Sequence, residues 1–352
     1  MSGLLIDACV NAIIRELKNY SVTSCSGPLA SIFLGGGTPT YLSASHLTQL
    51  LSAIQAHFLF SKDIEFTVEA NPESLTAEKV QILLDGGVNR ISIGVQAIDK
   101  EILAFLNRPH SKKDAEKAIE IAKTGGFTNV NLDFIHSIPG LSLEKWEQTI
   151  EWALGFAPKH LSCYSLTFEP HTPLFESRER GAIREIPESA QILFLKSTRE
   201  QLRDRGYDPY EVSNFAIKTY ECKHNINYWK GGSYIGVGPG ASSHFDGIRT
   251  SNIKEIEKYI EAIDRTGNAE DYAETLSPIT RCKEAIWLSL RLKTGANLKS
   301  IKKITGVDPH PIVKARMGFA LQNNLCYIQD GNLFLSEAAI PLTDYIAMNI
   351  LG

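Results

Sequence analysis

The sequence lacks the short cysteine spacings that hold metal ions or iron–sulfur clusters. Its six cysteines include no CxxC or CxxxC pair, and they are Cys9, Cys25, Cys163, Cys222, Cys282 and Cys326. Zinc and cluster sites are recognised from closely spaced ligands, so no metal site can be identified from neighbouring residues here. We therefore expect reduced thiols that mostly fill the protein core.

Long apolar runs, targeting signals and an excess of basic charge are also missing. No stretch approaches the roughly 18 apolar residues of a membrane helix, and the first twenty residues predict an amphipathic helix rather than a signal peptide. The 36 basic and 40 acidic residues give a net charge of −4, which does not attract nucleic acid or anionic lipid. We expect a cytosolic protein without stable membrane insertion and without nucleic-acid binding.

Between residues 31 and 167, strand-like runs rich in β-branched residues alternate with amphipathic helical segments. The predicted strands are Ser31–Leu34, Ile64–Glu69, Arg90–Val95, Asn129–Phe134 and His160–Ser165. The predicted helices are Ala44–Leu59, Thr76–Asp85, Lys100–Leu106, Lys113–Thr124 and Leu143–Gly155, and a helix Pro187–Arg205 and a strand Tyr210–Ser213 extend the series. This alternation predicts an α/β protein with a parallel sheet and helices outside it.

The pattern changes after about residue 220. Residues 222–244 are rich in Gly, Tyr, Trp, Asn and His without periodicity, which predicts an ordered loop. Helices are predicted at Arg281–Leu292, Asn297–Thr305 and Pro311–Asn323, followed by a hairpin that turns on Asp330-Gly331. Three helices and a hairpin suggest a small winged-helix-like domain that is structural or contacts proteins. The predicted domains are residues 1–218, 219–276 and 277–352.

Glycine and polar residues stand where the predicted strands end, and Arg108 follows the third strand. The strand-end residues are Gly36, Gly37, Thr38, Glu69, Gln96 and Asp133. The carboxyl ends of parallel barrel strands meet at one rim, so we expect a shared ligand site there. Glycine backbone groups, two carboxylates and an amide suit a zwitterionic ligand that carries a ribose. Neither GxxxxGK[ST] nor GxGxxG is present, so phosphate binding is disfavoured.

Five blocks carry a family resemblance: FLGGGTPTYL, EANPESL, NRISIGVQAID, LNRPH and NLDFIHSIPG. In order and spacing they are similar to oxygen-independent coproporphyrinogen III oxidases and their relatives in the radical S-adenosylmethionine (SAM) superfamily. YSLTFEPHTPL, YEVSNFA and ECKHNINYWKGGSYIGVGPGASS extend the resemblance over nearly the whole chain. The resemblance implies a partial (β/α) barrel of radical SAM type. It also implies an S-adenosyl-L-methionine pocket formed by Gly36, Gly37, Thr38, Glu69, Gln96, Arg108 and Asp133.

The segment HNINYW at residues 224–229 resembles the HNxxYW heme-binding motif of HemW-type heme chaperones. That family binds heme and passes it to acceptor proteins, and the oxidases lack the motif. The resemblance implies that His224 is the ligand of heme iron, since imidazole is a common heme ligand, and that Tyr228 and Trp229 lie beside the porphyrin. A hydrogen-bonded loop histidine next to core aromatic residues is the alternative interpretation.

The sequence departs from the family pattern in three places. Most members begin with a strand and a CxxxCxxC motif that holds a [4Fe–4S] cluster, and this sequence starts after that point. We therefore expect the chain as given to lack the cluster ligands and the first barrel strand, through a misassigned start or trimming rather than evolutionary loss. His136-Ser137 replaces a common Tyr-Gly, and Ser242 stands where histidine is usual.

Three functions remain open at this point. A heme chaperone is favoured by the HNxxYW motif. Anaerobic decarboxylation of coproporphyrinogen III is the activity of the wider family, and the missing cysteines count against it because the cluster supplies the electron that cleaves S-adenosylmethionine. A regulator that binds DNA through the C-terminal segment is disfavoured by the acidic balance. The sequence does not identify the heme acceptor, the oligomeric state, or whether heme is attached covalently.

Overall fold

The computed structural model of the chain describes residues 3–23 and 27–351. The helices are α1 (Gly3–Thr23), α2 (Ala44–His57), α3 (Ala77–Asp85), α4 (Lys100–Phe105), α5 (Lys112–Gly125), α6 (Leu143–Leu154), α7 (Pro173–Glu179), α8 (Glu188–Asp204), α9 (Lys223–Trp229), α10 (Ile256–Thr266), α11 (Pro278–Ser289), α12 (Leu298–Thr305), α13 (Pro309–Arg316), α14 (Gly318–Gln322) and α15 (Thr343–Leu351). The strands are β1 (Leu29–Leu34), β2 (Phe60–Ala70), β3 (Arg90–Gln96), β4 (Val130–His136), β5 (His160–Ser165), β6 (Asp208–Pro209), β7 (Asn214–Ala216), β8 (Ser242–Phe245), β9 (Ile248–Asn252), β10 (Glu270–Thr275), β11 (Ala296–Asn297), β12 (Cys326–Gln329) and β13 (Asn332–Leu335). Short 3-10 helices span Pro39–Tyr41 and Glu337–Leu342.

The main sheet is a curled half-barrel of seven strands in the order β1-β2-β3-β4-β5-β7-β6. Strands β1 to β5 pair in parallel, and β7 and β6 close the series in antiparallel pairing. Successive side chains of a strand point to opposite faces. On β2, for example, Phe66 and Val68 are fully buried in the helix-covered core, whereas Glu65, Thr67 and Glu69 share the concave face. The predicted parallel α/β architecture is confirmed.

Three sequence predictions need correction. Tyr210–Ser213 is a turn between β6 and β7 rather than a strand, because the Glu211 carboxylate accepts a hydrogen bond of 2.8 Å from the Ser213 N–H and holds the chain in a tight bend. Residues 222–244, predicted as a loop, contain helix α9 and the first residues of β8. The predicted helix Pro311–Asn323 is two helices, α13 and α14, which are interrupted at the buried Met317.

Sequence periodicity also missed the central segment, which contains a second sheet in the order β10-β9-β8 and helix α10. This segment is fastened to α1 by the buried carboxylate of Glu16. The carboxylate accepts hydrogen bonds from the Gly238 N–H at 2.8 Å, the Asn252 amide at 2.7 Å and the Tyr259 hydroxyl at 2.6 Å. Three donors satisfy a group that would otherwise be costly to bury.

The C-terminal segment has its own hydrophobic cluster, which includes Ile286, Leu298, Met317, Leu333 and Ile346. Its order is α11, β11, α12, α13, α14 and the β12–β13 hairpin, and β11 pairs with β13 to complete a three-stranded sheet. This is the predicted winged-helix-like order, with α15 added at the end. The three domain boundaries stay predictions. None of the helices in residues 3–23 and 27–351 combines the length and the apolar character of a membrane span.

Two adjacent residues of α8 provide a test of the packing between α6, α8 and the sheet. The Phe194 side chain is 5% exposed and stacks on His136 at 6.0 Å, whereas Leu193 is 55% exposed. We expect Phe194→Ala to lower the free energy of unfolding by about 3–5 kcal/mol because it leaves a cavity. Leu193→Ala should change it by less than about 0.5 kcal/mol. Urea unfolding followed by circular dichroism measures both values, and equal losses in the two variants would contradict this packing.

Candidate functional site

A cavity of about 390 Å³ opens at the carboxyl ends of the parallel strands. It is lined by Gly37, Thr38, Glu69, Ala70, Asn71, Ser92, Gly94, Gln96, Arg108, Asp133, Ile135, Tyr164, Ser165, Leu166 and Thr167. Six of the seven residues predicted for the strand-end site are therefore brought together. The seventh, Gly36, contributes its backbone N–H, which donates to the Glu69 carboxylate.

Two glycines give the polar side chains of the cavity their space. A Cβ atom at Gly35 would lie 2.7 Å from the Glu69 carboxyl carbon, and one at Gly94 would lie 2.7 Å from the Gln96 amide nitrogen. The backbone of Gln96 has a φ of 65°, a conformation that residues other than glycine rarely adopt. Such backbone strain is concentrated at functional sites, where the surrounding fold must hold it.

The carboxylates of the cavity differ in their environments. Burial and then the nearby Asp133 charge raise the pKa of Glu69 to about 7, and the hydrogen bond from Gly36 opposes that rise. Asp133 is held by the Ser92 hydroxyl at 2.6 Å and by the Asn131 amide at 2.7 Å. The cavity therefore contains one fixed, hydrogen-bonded carboxylate and one that exchanges a proton near neutral pH.

The HNxxYW segment, residues 224–229, lies on α9. This helix packs on the concave face beside β1, which is the edge strand of the sheet in the described chain. The His224 ring stacks on Phe33 of β1 with 5.0 Å between ring centroids. Its Nδ1 atom is hydrogen-bonded to the Ser31 hydroxyl at 3.0 Å, and its Nε2 atom to the Tyr228 hydroxyl at 3.0 Å. Burial lowers the pKa of His224, which favours the neutral imidazole.

Helix α9 is fixed at its start by Glu65 of β2. The Glu65 carboxylate accepts hydrogen bonds from the N–H groups of Lys223 at 2.9 Å and His224 at 3.0 Å, and from the Cys222 thiol at 3.2 Å. These are the N–H groups that a helix cannot satisfy internally. Cys222 stands two residues before His224, but it is buried and its thiol is hydrogen-bonded to Glu65.

The Trp229 side chain lies away from the side chains of His224 and Tyr228. Its indole ring lies under the Arg291 guanidinium at 4.8 Å, and its carbonyl accepts a hydrogen bond of 3.1 Å from the Ser289 hydroxyl. Both partners belong to the C-terminal segment. The structure therefore joins His224 and Tyr228 in one cluster, together with Phe33 and Ser31, and places Trp229 at the contact between α9 and α11.

The cavity and the His224 cluster share the concave face of the sheet. Glu65 and Glu69 stand four residues apart on β2, which corresponds to roughly 13 Å along a strand. Hydrogen bonds connect the two places through the buried polar residues of the sheet interior. The chain of partners is Asp133, Ser92, Asn131, His160 and Tyr210, whose hydroxyl accepts from the Cys222 N–H.

Sequence reasoning missed Ser31, Phe33 and Glu65. Glu65 and Glu69 are four residues apart on β2, so their side chains point to the same face of the sheet. The alternation along β2 could therefore have predicted that Glu65 lies on the concave face. No sequence signal indicated that α9 would pack there. Among residues 3–23 and 27–351, no group of three or more His, Cys, Asp or Glu side chains could hold a metal ion.

Comparison with known proteins agrees with this architecture. Residues 10–153 match the family model of the Radical SAM superfamily. The coproporphyrinogen III oxidase HemN from Escherichia coli, a radical SAM enzyme, has the same fold with a TM-score of 0.84; the match covers 99% of this chain and 84% of that chain at 20% sequence identity. The family match over residues 10–153 and the shared fold agree on a half-barrel of radical SAM type.

Three relatives identify the family of the chain within the radical SAM proteins. Heme chaperone HemW of Bacillus subtilis is 35% identical over 99% of this chain and 92% of its own length. Heme chaperone HemW of Lactococcus lactis is 36% identical over 84% of this chain and 76% of its own, and that of Mycobacterium tuberculosis is 31% identical over 100% and 88%. The chain belongs to the HemW family of heme chaperones, as its sequence motifs predicted.

The raised pKa of Glu69 has a testable consequence for stability. Folding favours the protonated form, so the stability contributed by this group is fully present below the ordinary pKa of 4.5, falls as pH rises from there to about 7, and levels off above that pH. We expect Glu69→Gln to gain stability relative to the unsubstituted protein between pH 5 and pH 8, as measured by urea unfolding. Glu78→Gln, at an exposed position, is the control.

Carbon-13 NMR of the Glu69 carboxyl provides the second measurement. Asp133→Asn should lower the pKa of Glu69 because it removes the neighbouring charge. A Glu69 carboxyl that titrates near 4.5 in the unsubstituted protein would contradict the buried site described here.

Proposed function

We propose that this chain is a heme chaperone that binds heme at His224 and passes it to an acceptor protein. The observation that carries the proposal is the position of His224 on the concave face, where its ring packs against β1. Its ring is held by Phe33 and Ser31, and its Nε2 atom is hydrogen-bonded to the Tyr228 hydroxyl. A fixed, neutral imidazole is a suitable axial ligand for heme iron. The relatives named heme chaperone HemW support the same function.

We further propose that the strand-end cavity is an S-adenosyl-L-methionine pocket. Its donor set fits the cofactor: the carboxylates of Glu69 and Asp133 suit ribose hydroxyls and the amine, and Gln96 and Arg108 add an amide and a cation. Gly36, Gly37 and Thr38 would border its methionine end. When bound beside a reduced [4Fe–4S] cluster, the cofactor supplies radical chemistry. The residues of this cavity are assigned to binding and orienting the cofactor.

The alternative function is that of an oxygen-independent coproporphyrinogen III oxidase, since the chain shares the fold of HemN. That likeness, at 20% identity, extends to the fold alone. The HNxxYW segment favours the chaperone. The acceptor protein, the cytosolic location and the absence of nucleic-acid binding stay predictions.

Hemin titration tests the heme site. We expect the protein to bind hemin with a Soret band typical of imidazole ligation, and His224→Ala to weaken binding about tenfold or more because each 1.4 kcal/mol of lost coordination is a factor of ten. His310→Ala, whose side chain is 61% exposed in the C-terminal segment, is the matched control. An unchanged spectrum and affinity in His224→Ala would reject His224 as the ligand.

Ligand-observed NMR tests the cavity. Saturation transfer detects even weak binding of S-adenosylmethionine, and we expect Asp133→Asn to weaken that binding about three- to tenfold by removing a charged acceptor, which contributes more than a neutral hydrogen bond. Asp85→Asn, at the exposed end of α3, is the control. Equal binding by the unsubstituted protein and Asp133→Asn would place the ligand elsewhere.

A further inference from the structure

The two ring nitrogens of His224 are both occupied. Nδ1 is hydrogen-bonded to the Ser31 hydroxyl and Nε2 to the Tyr228 hydroxyl, each at 3.0 Å. A neutral imidazole has one donor and one acceptor nitrogen, and both hydroxyl groups can either donate or accept. In either tautomer, therefore, Nε2 has no free lone pair: it is protonated or it accepts from Tyr228.

The iron and the Tyr228 hydroxyl require the same position. A bond between a metal and imidazole nitrogen is about 2 Å long and follows the direction of the nitrogen lone pair. The Tyr228 oxygen lies along a hydrogen bond to that nitrogen, at 3.0 Å. Iron and the phenol oxygen cannot both lie there, so heme enters only if one neighbour of His224 moves.

The two neighbours differ in their freedom to move. Ser31 belongs to β1 and is aligned with Glu65 of β2, which in turn holds the N–H of His224 at 3.0 Å. The backbone that carries the Ser31 hydroxyl is thus fixed by the same strand pair that fixes the helix. Tyr228 stands one turn after His224 on α9, is only partly buried, and packs edge-on against Tyr234 with 4.5 Å between centroids. We expect that rotation about its side-chain bonds frees Nε2 while the backbone of α9 stays in place.

We propose that Tyr228 occupies the iron-binding nitrogen of His224 in the heme-free protein and must swing away when heme enters, while Ser31 keeps the ring positioned from the other side. This inference rests on the proposed heme site and adds its regulation. Tyr228 competes with the cargo for Nε2, so it weakens and slows heme binding. A hydrogen bond from the second nitrogen orients a metal-bound imidazole, which is the role of Ser31.

Removing one hydroxyl group tests the competition. We expect Tyr228→Phe to bind hemin about three- to tenfold more tightly, with an unchanged Soret position, because the heme-free state loses a hydrogen bond that the bound state never contains. The gain should fall mainly on association, because this hydrogen bond must break before heme enters. It is measured as faster hemin binding in stopped-flow absorbance. Tyr234→Phe removes a hydroxyl from the ring next to Tyr228 and should leave affinity and binding rate unchanged.

Ser31 is tested by a property of the iron–imidazole bond. We expect Ser31→Ala to weaken hemin binding several-fold and to shift the iron–histidine stretching frequency of the ferrous complex in resonance Raman spectra, and Ser31→Thr to restore both. A purely structural role of Ser31 would leave that frequency unchanged, which would overturn its positioning role.

The outcomes separate this inference from the function on which it rests. Tyr228→Phe with unchanged affinity, or with loss of the Soret band, would overturn the inference; the second result would make the phenol a ligand. His224→Ala with unchanged hemin binding would overturn the heme site itself. A response to His224→Ala without a response to Tyr228→Phe would therefore leave the chaperone function in place and remove only the competition by Tyr228.

Discussion

Strand β2 and the alternation of its side chains determine both parts of the candidate site. Its parallel pairing with β1 and β3 fixes which side chains reach the concave face, and a shift of one residue would exchange them for the apolar set. On that face Glu69 lines the cavity, while Glu65 caps α9 and so holds His224. The burial of Phe66 and Val68 among the covering helices therefore also positions the polar groups that carry the chemistry.

The parallel half-barrel and the strand-end cavity could be predicted from the sequence because their signals are local. Period-two runs give the strands, and the ends of parallel strands meet at one rim whatever the details of packing. Helix α9 could not be predicted as a helix, because it has seven residues and no side-chain cap of its own. Its capping group is Glu65, which is 158 residues from Lys223 in sequence. Only the folded sheet brings that carboxylate to the helix.

The HNxxYW motif likewise could not predict which residues its own side chains contact. The segment HNINYW indicated a heme site, but its spacing does not state that His224 and Tyr228 are hydrogen-bonded to each other while Trp229 contacts Arg291. One turn of helix brings residues four apart onto the same side, which joins the first pair. Trp229 falls on another side of α9 and meets the C-terminal segment. One short motif thus connects the His224 cluster to Ser289 and Arg291 at the end of α11.

The buried polar interior connects these features physically. Burial is the first cause of both the raised pKa of Glu69 and the lowered pKa of His224, so the concave face favours neutral forms of an acid and a base alike. Groups in such an environment must satisfy one another, and hydrogen bonds run from Asp133 through Asn131 and His160 to Tyr210. Because Tyr210 also accepts from the backbone at the start of α9, the carboxylate of the cavity and the helix that carries His224 belong to one hydrogen-bonded unit. The cavity and the heme-motif helix are therefore joined through one continuous set of buried hydrogen bonds.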